Sequence, residues 1–172
     1  MGEPRPGSSM AKDKLPVTPG IRMLREREID FKERPYKYEE RGGTEVAARE
    51  LGVDEHQVIK TLVMEDERKT AFIILMHGDR EVSTKALARV LGVKTVTPCD
   101  TAAAEKHTGY MVGGISPFGT RKPLPVYVEA SILSLPKIYI NAGKRGLLVE
   151  LSPDHLGKAL KSLTPVSTAR AD

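Results

Sequence analysis

Two apolar runs constrain this chain more than any other feature. Val58 to Met64 reads VIKTLVM and Thr70 to Met76 reads TAFIILM, with the charged turn Glu65 to Lys69 between them. Both are of strand length, and both are apolar on successive positions rather than on alternate ones. That pattern predicts strands covered on both faces, because a half-exposed strand would alternate polar and apolar side chains. One residue breaks the first run. Lys60 sits in its middle, where an ammonium is costly unless it reaches a cavity or a partner. The alternative is a lysine on an exposed strand face that snorkels to water.

Helix and turn signals surround these strands. Thr18 can cap a helix whose first position is Pro19, since the N–H that proline lacks has no helical partner there. Ile29 to Tyr38 reads as extended. Thr44 opens a helix that Gly52 ends, and Asp54 with Gln57 makes a capping-box-like start to a short turn. His77-Gly78-Asp79 reads as a turn, Ser83 caps a helix that Gly92 stops, and Asp100 caps TAAAEKH. Short strands are expected at Lys94–Thr97, Val126–Glu129, Ile138–Asn141 and Leu147–Leu151, with a last helix from Ser152-Pro153 to about Leu163. Helices and strands mix without a strict βαβ rhythm. The fold class is α+β, with a mixed, strongly curved, barrel-like sheet flanked by helices.

The 172 residues suit one domain. We expect residues 1–17, rich in Pro, Gly, Ser and charge, as a disordered arm, 18–165 as the domain and 166–172 as a tail. The first residues carry no apolar segment of the secretory kind. No stretch approaches the roughly 20 apolar residues of a membrane helix, so no membrane partner is expected. A single cysteine, Cys99, excludes an internal disulfide and suits a cytoplasmic location. The net charge of +4 favours a polyanionic partner, although many soluble proteins are mildly basic. Aromatics are few, with no Trp, 5 Tyr and 3 Phe, which argues against a base-stacking platform. His56, His77, His107 and His155 show no ligand spacing and Cys99 no CxxC partner, so no metal site is expected. Walker, dinucleotide and H-E-x-x-H motifs are absent, and no cofactor is expected.

Three stretches could carry chemistry. A pocket Lys60 could hold a phosphate or polarise an ester carbonyl. Thr108 to Gly119 (TGYMVGGISPFG) places four glycines within Gly109–Gly119, which lets backbone N–H groups approach a ligand. A structural crossover would need the same glycines. Ser116 lies in G-x-S-x-x-G rather than in the nucleophile elbow G-x-S-x-G, which disfavours a serine triad. Asn141 to Gly146 (NAGKRG) reads as a hairpin turn, and its Lys144 and Arg145 are either solvated or in contact with phosphate.

Taken in order, TPGIRMLRE, VIKTLV, TGYMVGGISPFG, KPLPVYVE and AGKRGLLVEL resemble the YbaK/EbsC family of prolyl-tRNA editing proteins, from Thr18 to about the last helix. The resemblance implies a single domain on a mixed, barrel-like sheet that hydrolyses mischarged tRNA, typically Cys-tRNA(Pro) or Ala-tRNA(Pro). It implies Lys60 as the essential lysine, with Thr61 beside it in the pocket. Gly113, Gly114, Ile115, Ser116 and Pro117 correspond to the family's G-x-x-x-P loop, whose backbone faces the scissile ester. Tyr36 corresponds to an aromatic at the rim. The implied partners are the acceptor end of tRNA and prolyl-tRNA synthetase. Departures fall on the pocket side. Leu148 stands where cysteine-clearing members have an aspartate, Asn141 where they have a serine, and the segment from Glu39 to Thr44 is shorter, with Gly43 near a position usually aromatic.

Overall fold

The computed structural model describes residues 15–170. The two apolar runs are the central strands, β2 (Val58–Asp66) and β3 (Ala71–His77), paired antiparallel from Ile59↔His77 to Glu65↔Ala71. His77, expected in a turn, is the last residue of β3. The remaining strands are β1 (Lys32–Pro35), β4 (Val96–Pro98), β5 (Val126–Glu129), β6 (Ile138–Lys144), β7 (Leu147–Leu151) and β8 (Leu163–Val166). They form one mixed sheet in the order β1-β7-β6-β2-β3-β5-β8, with β4 on β2 off this path. Among the described residues five α-helices accompany it: α1 (Pro19–Glu26), α2 (Gly43–Leu51), α3 (Thr84–Leu91), α4 (Thr101–Thr108) and α5 (Asp154–Ala159). None of the described helices is long and apolar enough to cross a membrane.

Burial explains why β3 is apolar throughout. Ile73 and Leu75 point into the main core with Ile21, Leu24, Ile132 and Leu156, whereas Phe72 and Ile74 point into a second cluster with Leu87 and Val96 beneath α3. Ile73, Ile74 and Leu75 are fully buried, each contributing about 1.5–3 kcal/mol relative to exposure. A third cluster under α2 joins Ala47, Ala48, Val58, Tyr139 and Leu148.

Helix caps follow the sequence closely. The side chains of Thr18, Ser83 and Asp100 accept the N–H groups of Ile21, Ala86 and Ala103. Thr44 does not cap. It lies inside α2, and its hydroxyl donates to Glu55 Oε2 at 2.8 Å. The C-terminal segment departs most. The last helix stops at Ala159, and Leu163–Val166 pairs parallel to β5 instead. Pro165 pushes Thr164 to extended backbone, and an edge strand tolerates the missing N–H. Packing continues beyond 165: Val166 is buried, Thr168 N–H donates to Glu129 Oε1 at 2.7 Å, and Ala169 bridges Val82. Most of the expected N-terminal arm lies outside the described residues.

The outer edge of β2 positions the site. β6 runs parallel to β2 only at Val58 and Ile59, and β4 joins the same edge only from Met64 onward. Between these two partners the sheet parts, beside Lys60 and Thr61.

Candidate active site

A cavity of about 590 Å³ opens where the sheet parts. β2 supplies Val58 to Thr61, the segment before α2 supplies Tyr36 and Tyr38, and β6 and β7 supply Asn141 and Leu148. Gly113, Ile115 and Arg145 complete the side facing Lys60. The lysine and the glycine loop, 53 positions apart in sequence, thus meet in one cavity.

Lys60 does not sit on an open strand face. Its side chain is 20% exposed, and Nζ donates to Glu81 Oε2 at 3.0 Å. Glu81 comes from the turn after β3 and is 72% exposed. Screening by water keeps such a pair weak, about 0–1 kcal/mol, so an incoming anion can compete for the ammonium. The adjacent Thr61 hydroxyl is buried and has no hydrogen-bond partner among the described residues.

The loop follows α4 and is held by its own polar groups. The Tyr110 phenol donates to Phe118 O at 2.6 Å, and burial pushes its pKa up to about 12, so it remains a donor at neutral pH. Gly113 has φ +95°, and a Cβ there would lie 2.6 Å from the Tyr38 hydroxyl. A Cβ on Gly114 would lie 2.7 Å from Arg145 N, so the loop crosses the β6–β7 turn with no room for a side chain. Asn141 braces this crossing. Its Nδ2 donates to Gly113 O at 3.4 Å, and its Oδ1 accepts from Gly143 N at 2.6 Å and Lys144 N at 3.1 Å. Arg145 Nε donates to Val112 O at 2.9 Å, and its guanidinium lies 5.4 Å from the Tyr38 ring centroid.

Of the residues singled out in the sequence, Lys60, Thr61, Tyr36, Gly113, Ile115, Asn141, Arg145 and Leu148 line this cavity. The others fall elsewhere. Gly114 N–H, expected to face the ester, donates to Met111 O at 2.8 Å within the loop. Ser116 is fully buried, and its Oγ accepts Phe118 N–H at 3.1 Å, a turn-stabilising role. Pro117 lines a different cavity on the far side of the loop. Lys144 is exposed and is not among the lining residues. Leu148 is buried against Ala47, Val58 and Tyr139, giving an apolar wall.

Sequence reasoning missed Tyr38, Arg41, Thr44 and Glu105, which also line the cavity. Tyr38 was detectable, since it follows Tyr36 at the two-residue period that puts both on one side of an extended segment. Glu105 had no such signal. Its Oε2 accepts Val112 N–H at 2.9 Å, a contact set by how α4 meets the loop.

The histidines are not all scattered. His56 and His77 stack with ring centroids 3.7 Å apart, and His56, His77 and Asp79 bring ligand-type atoms within 4.8 Å of one another. Both His77 nitrogens are engaged, Nδ1 with His56 O and Nε2 with Ser131 Oγ, at 2.8 and 2.7 Å. Burial lowers the His77 pKa. Cys99 is held toward its un-ionised form. Burial, and then the Glu65 carboxylate beside it, pushes its pKa up to about 11.

The family model described as the aminoacyl-tRNA editing domain matches residues 39–159. A protein of Enterococcus faecalis named "Putative Cys-tRNA(Pro)/Cys-tRNA(Cys) deacylase EbsC" is 32% identical over 157 residues, covering 90% of this chain and 93% of that one. A proline–tRNA ligase of Desulforamulus reducens is 28% identical over 110 residues, which span 63% of this chain and only 19% of the ligase. In fold, the chain is similar to the crystal structure of "a putative trans-editing enzyme for prolyl tRNA synthetase", with a TM-score of 0.78 at 21% identity, covering 91% of this chain and 100% of that one. With the model matching most of the chain, and a relative this similar along nearly its whole length, this protein belongs to the aminoacyl-tRNA editing domain family, of the YbaK/EbsC type.

Proposed function

We propose that the chain is a trans-acting deacylase that clears a small, wrong amino acid from tRNA(Pro), cysteine first among the substrates. One observation carries the reading: Lys60 and Gly113 line a single cavity with room for an aminoacyl group. Family membership and the name of the Enterococcus relative support it.

The chemistry asks little of the protein. An aminoacyl ester is already activated, so no protein nucleophile is needed. Lys60 exchanges Glu81 for a phosphate of the terminal adenosine or for the ester carbonyl, where its charge stabilises the developing oxyanion. Gly113 offers close backbone approach on the opposite side. The attacker is water or, for cysteine, the substrate thiol, whose attack on its own carbonyl would release a thiolactone and the tRNA hydroxyl. Tyr36 stays a neutral phenol, since burial first and then Tyr38 raise its pKa. Discrimination of this kind is required because a synthetase pocket gains only about 1–3 kcal/mol per methylene. The reaction belongs with translation, in the cytoplasm, and prolyl-tRNA synthetase is the partner that would supply the substrate.

A second reading, alanine as the substrate, is favoured by Leu148. An apolar wall where cysteine-clearing relatives have an aspartate suits a methyl group as well as a thiol. The deciding experiment incubates the protein with Cys-, Ala- and Pro-charged tRNA(Pro) and follows loss of label. Preferential loss of cysteine, or of alanine, assigns the substrate. Retention of all three labels sinks the deacylase reading.

A further inference from the structure

The Gly109–Gly119 loop has two sides. Gly113 and Ile115 face the cavity beside Lys60, whereas Pro117 and Gly119 line a second cavity of about 460 Å³. Around this second cavity stand Arg22 and Arg27 of the α1 region, Arg121 after the loop and Lys161 before β8, against a single carboxylate, Glu26. The charge is not internally neutralised. Elsewhere Arg25, Arg34, Arg49, Lys60, Lys69 and Lys137 each meet a glutamate. Arg22, Arg121 and Lys161 are exposed, and no described residue forms an ion pair with them. Arg27 is fixed in place by donating to the Ala159 carbonyl.

We propose that this second cavity is a docking site for the sugar–phosphate backbone of RNA, with Arg22, Arg121 and Lys161 as phosphate contacts. Exposed cations release counterions on meeting phosphates and give up little hydration in doing so. The cations come from three separate chain segments around an open basin. That arrangement suits a run of phosphates better than one small anion, which is usually gripped by converging backbone N–H groups. The shared loop supplies continuity. A strand whose 3′ end enters the first cavity leaves its preceding phosphates outside, and Arg22, Arg121 and Lys161 lie across the loop. The proposal rests on the deacylase reading for the kind of RNA bound.

The test measures binding of fluorescently labelled, uncharged tRNA(Pro) by anisotropy at fixed ionic strength. Arg121→Glu combined with Lys161→Glu should weaken binding by at least about tenfold. The same charge change placed on α3, Lys85→Glu with Arg89→Glu, should alter it less than about threefold. Arg121→Ala with Lys161→Ala should flatten the slope of log affinity against log salt by about 2. Unchanged binding in the first pair, equal loss in the α3 pair, or no tRNA binding by the unaltered protein at low salt overturns the proposal. ATP bound with the same dependence on Arg121 and Lys161 would make the basin a nucleotide pocket and overturn the RNA assignment. The two readings fail separately. RNA binding that depends on Arg121 and Lys161, without hydrolysis of any charged tRNA, removes the reaction and leaves the basin. Hydrolysis of charged tRNA, with binding indifferent to these residues, does the reverse.

Discussion

β2 and β3 are antiparallel neighbours, each with a mainly apolar run, yet only β2 lines the cavity. β3 is paired to β2 on one edge along its length and to β5 at Ile73–Leu75 on the other, with clusters on both faces. β2 has the same partner on its inner edge, but its outer edge changes partner, from β6 at Ile59 to β4 at Met64. The residues beside that change, Lys60 and Thr61, are the polar ones in the run. Two neighbouring strands thus divide the labour. β3, buried on both faces, anchors the core, and β2, whose outer edge changes partner beside two polar residues, opens the cavity.

That division can be broken at either strand. The largest effect is expected on β2. Lys60→Ala should lower deacylation of mischarged tRNA by roughly 10²–10³, about 2.7–4 kcal/mol, the scale of losing one oxyanion donor, while the thermal midpoint stays nearly unchanged. Single-turnover assays paired with thermal melts would show it, and a near-normal rate would remove Lys60 from the chemistry. Next comes the loop that faces β2. Gly114→Ala pushes a methyl against Arg145 N and should displace Gly113 enough to cost about 10² in rate, measured in the same assay. On β3 the effect should move from rate to stability. Ile74→Val should cost about 0.5–1.5 kcal/mol in urea unfolding and leave the rate per folded molecule untouched.

The smallest effect lies at the strand ends. His77 pairs with Ile59, and burial lowers its pKa below the usual 6.5. The unfolded chain therefore binds a proton there more readily than the folded one, and the folded state is favoured above the ordinary imidazole range. Stability should fall as pH drops below about 6.5, before the carboxylates of Asp79 and Glu150, whose pKa values are lowered, begin to titrate. Melting curves between pH 7.5 and 5 would show the decline, and His77→Gln should flatten it.

Much of this was legible in the sequence where the signal is local. The unbroken apolarity of Ala71–Met76 required cover on both faces. The caps at Thr18, Ser83 and Asp100 depend only on residues three positions apart, and all three are observed. Lys60 stood out because a charge within an apolar run is costly. What escaped was non-local. Nothing near Glu81 says that its carboxylate meets Lys60, and the stacking of His56 on His77 exists only because the β2–β3 register brings the strand ends together. β8 was missed because four residues with a proline give a weak strand signal, and its pairing with β5 decides the outcome. Gly114 shows the same limit within a motif, since the sequence identifies the glycine but not that its N–H is already committed to Met111 O.

The state of Cys99 bears on how this chain meets reactive sulfur compounds. With its pKa near 11, the thiol is ionised at neutral pH in well under about one molecule in a thousand, and an un-ionised thiol attacks neither disulfides nor electrophiles at a useful rate. A thiol or thioester that meets the protein therefore finds its sulfur held un-ionised. Alkylating reagents should modify the folded chain only slowly, and mixed disulfides should not accumulate during turnover.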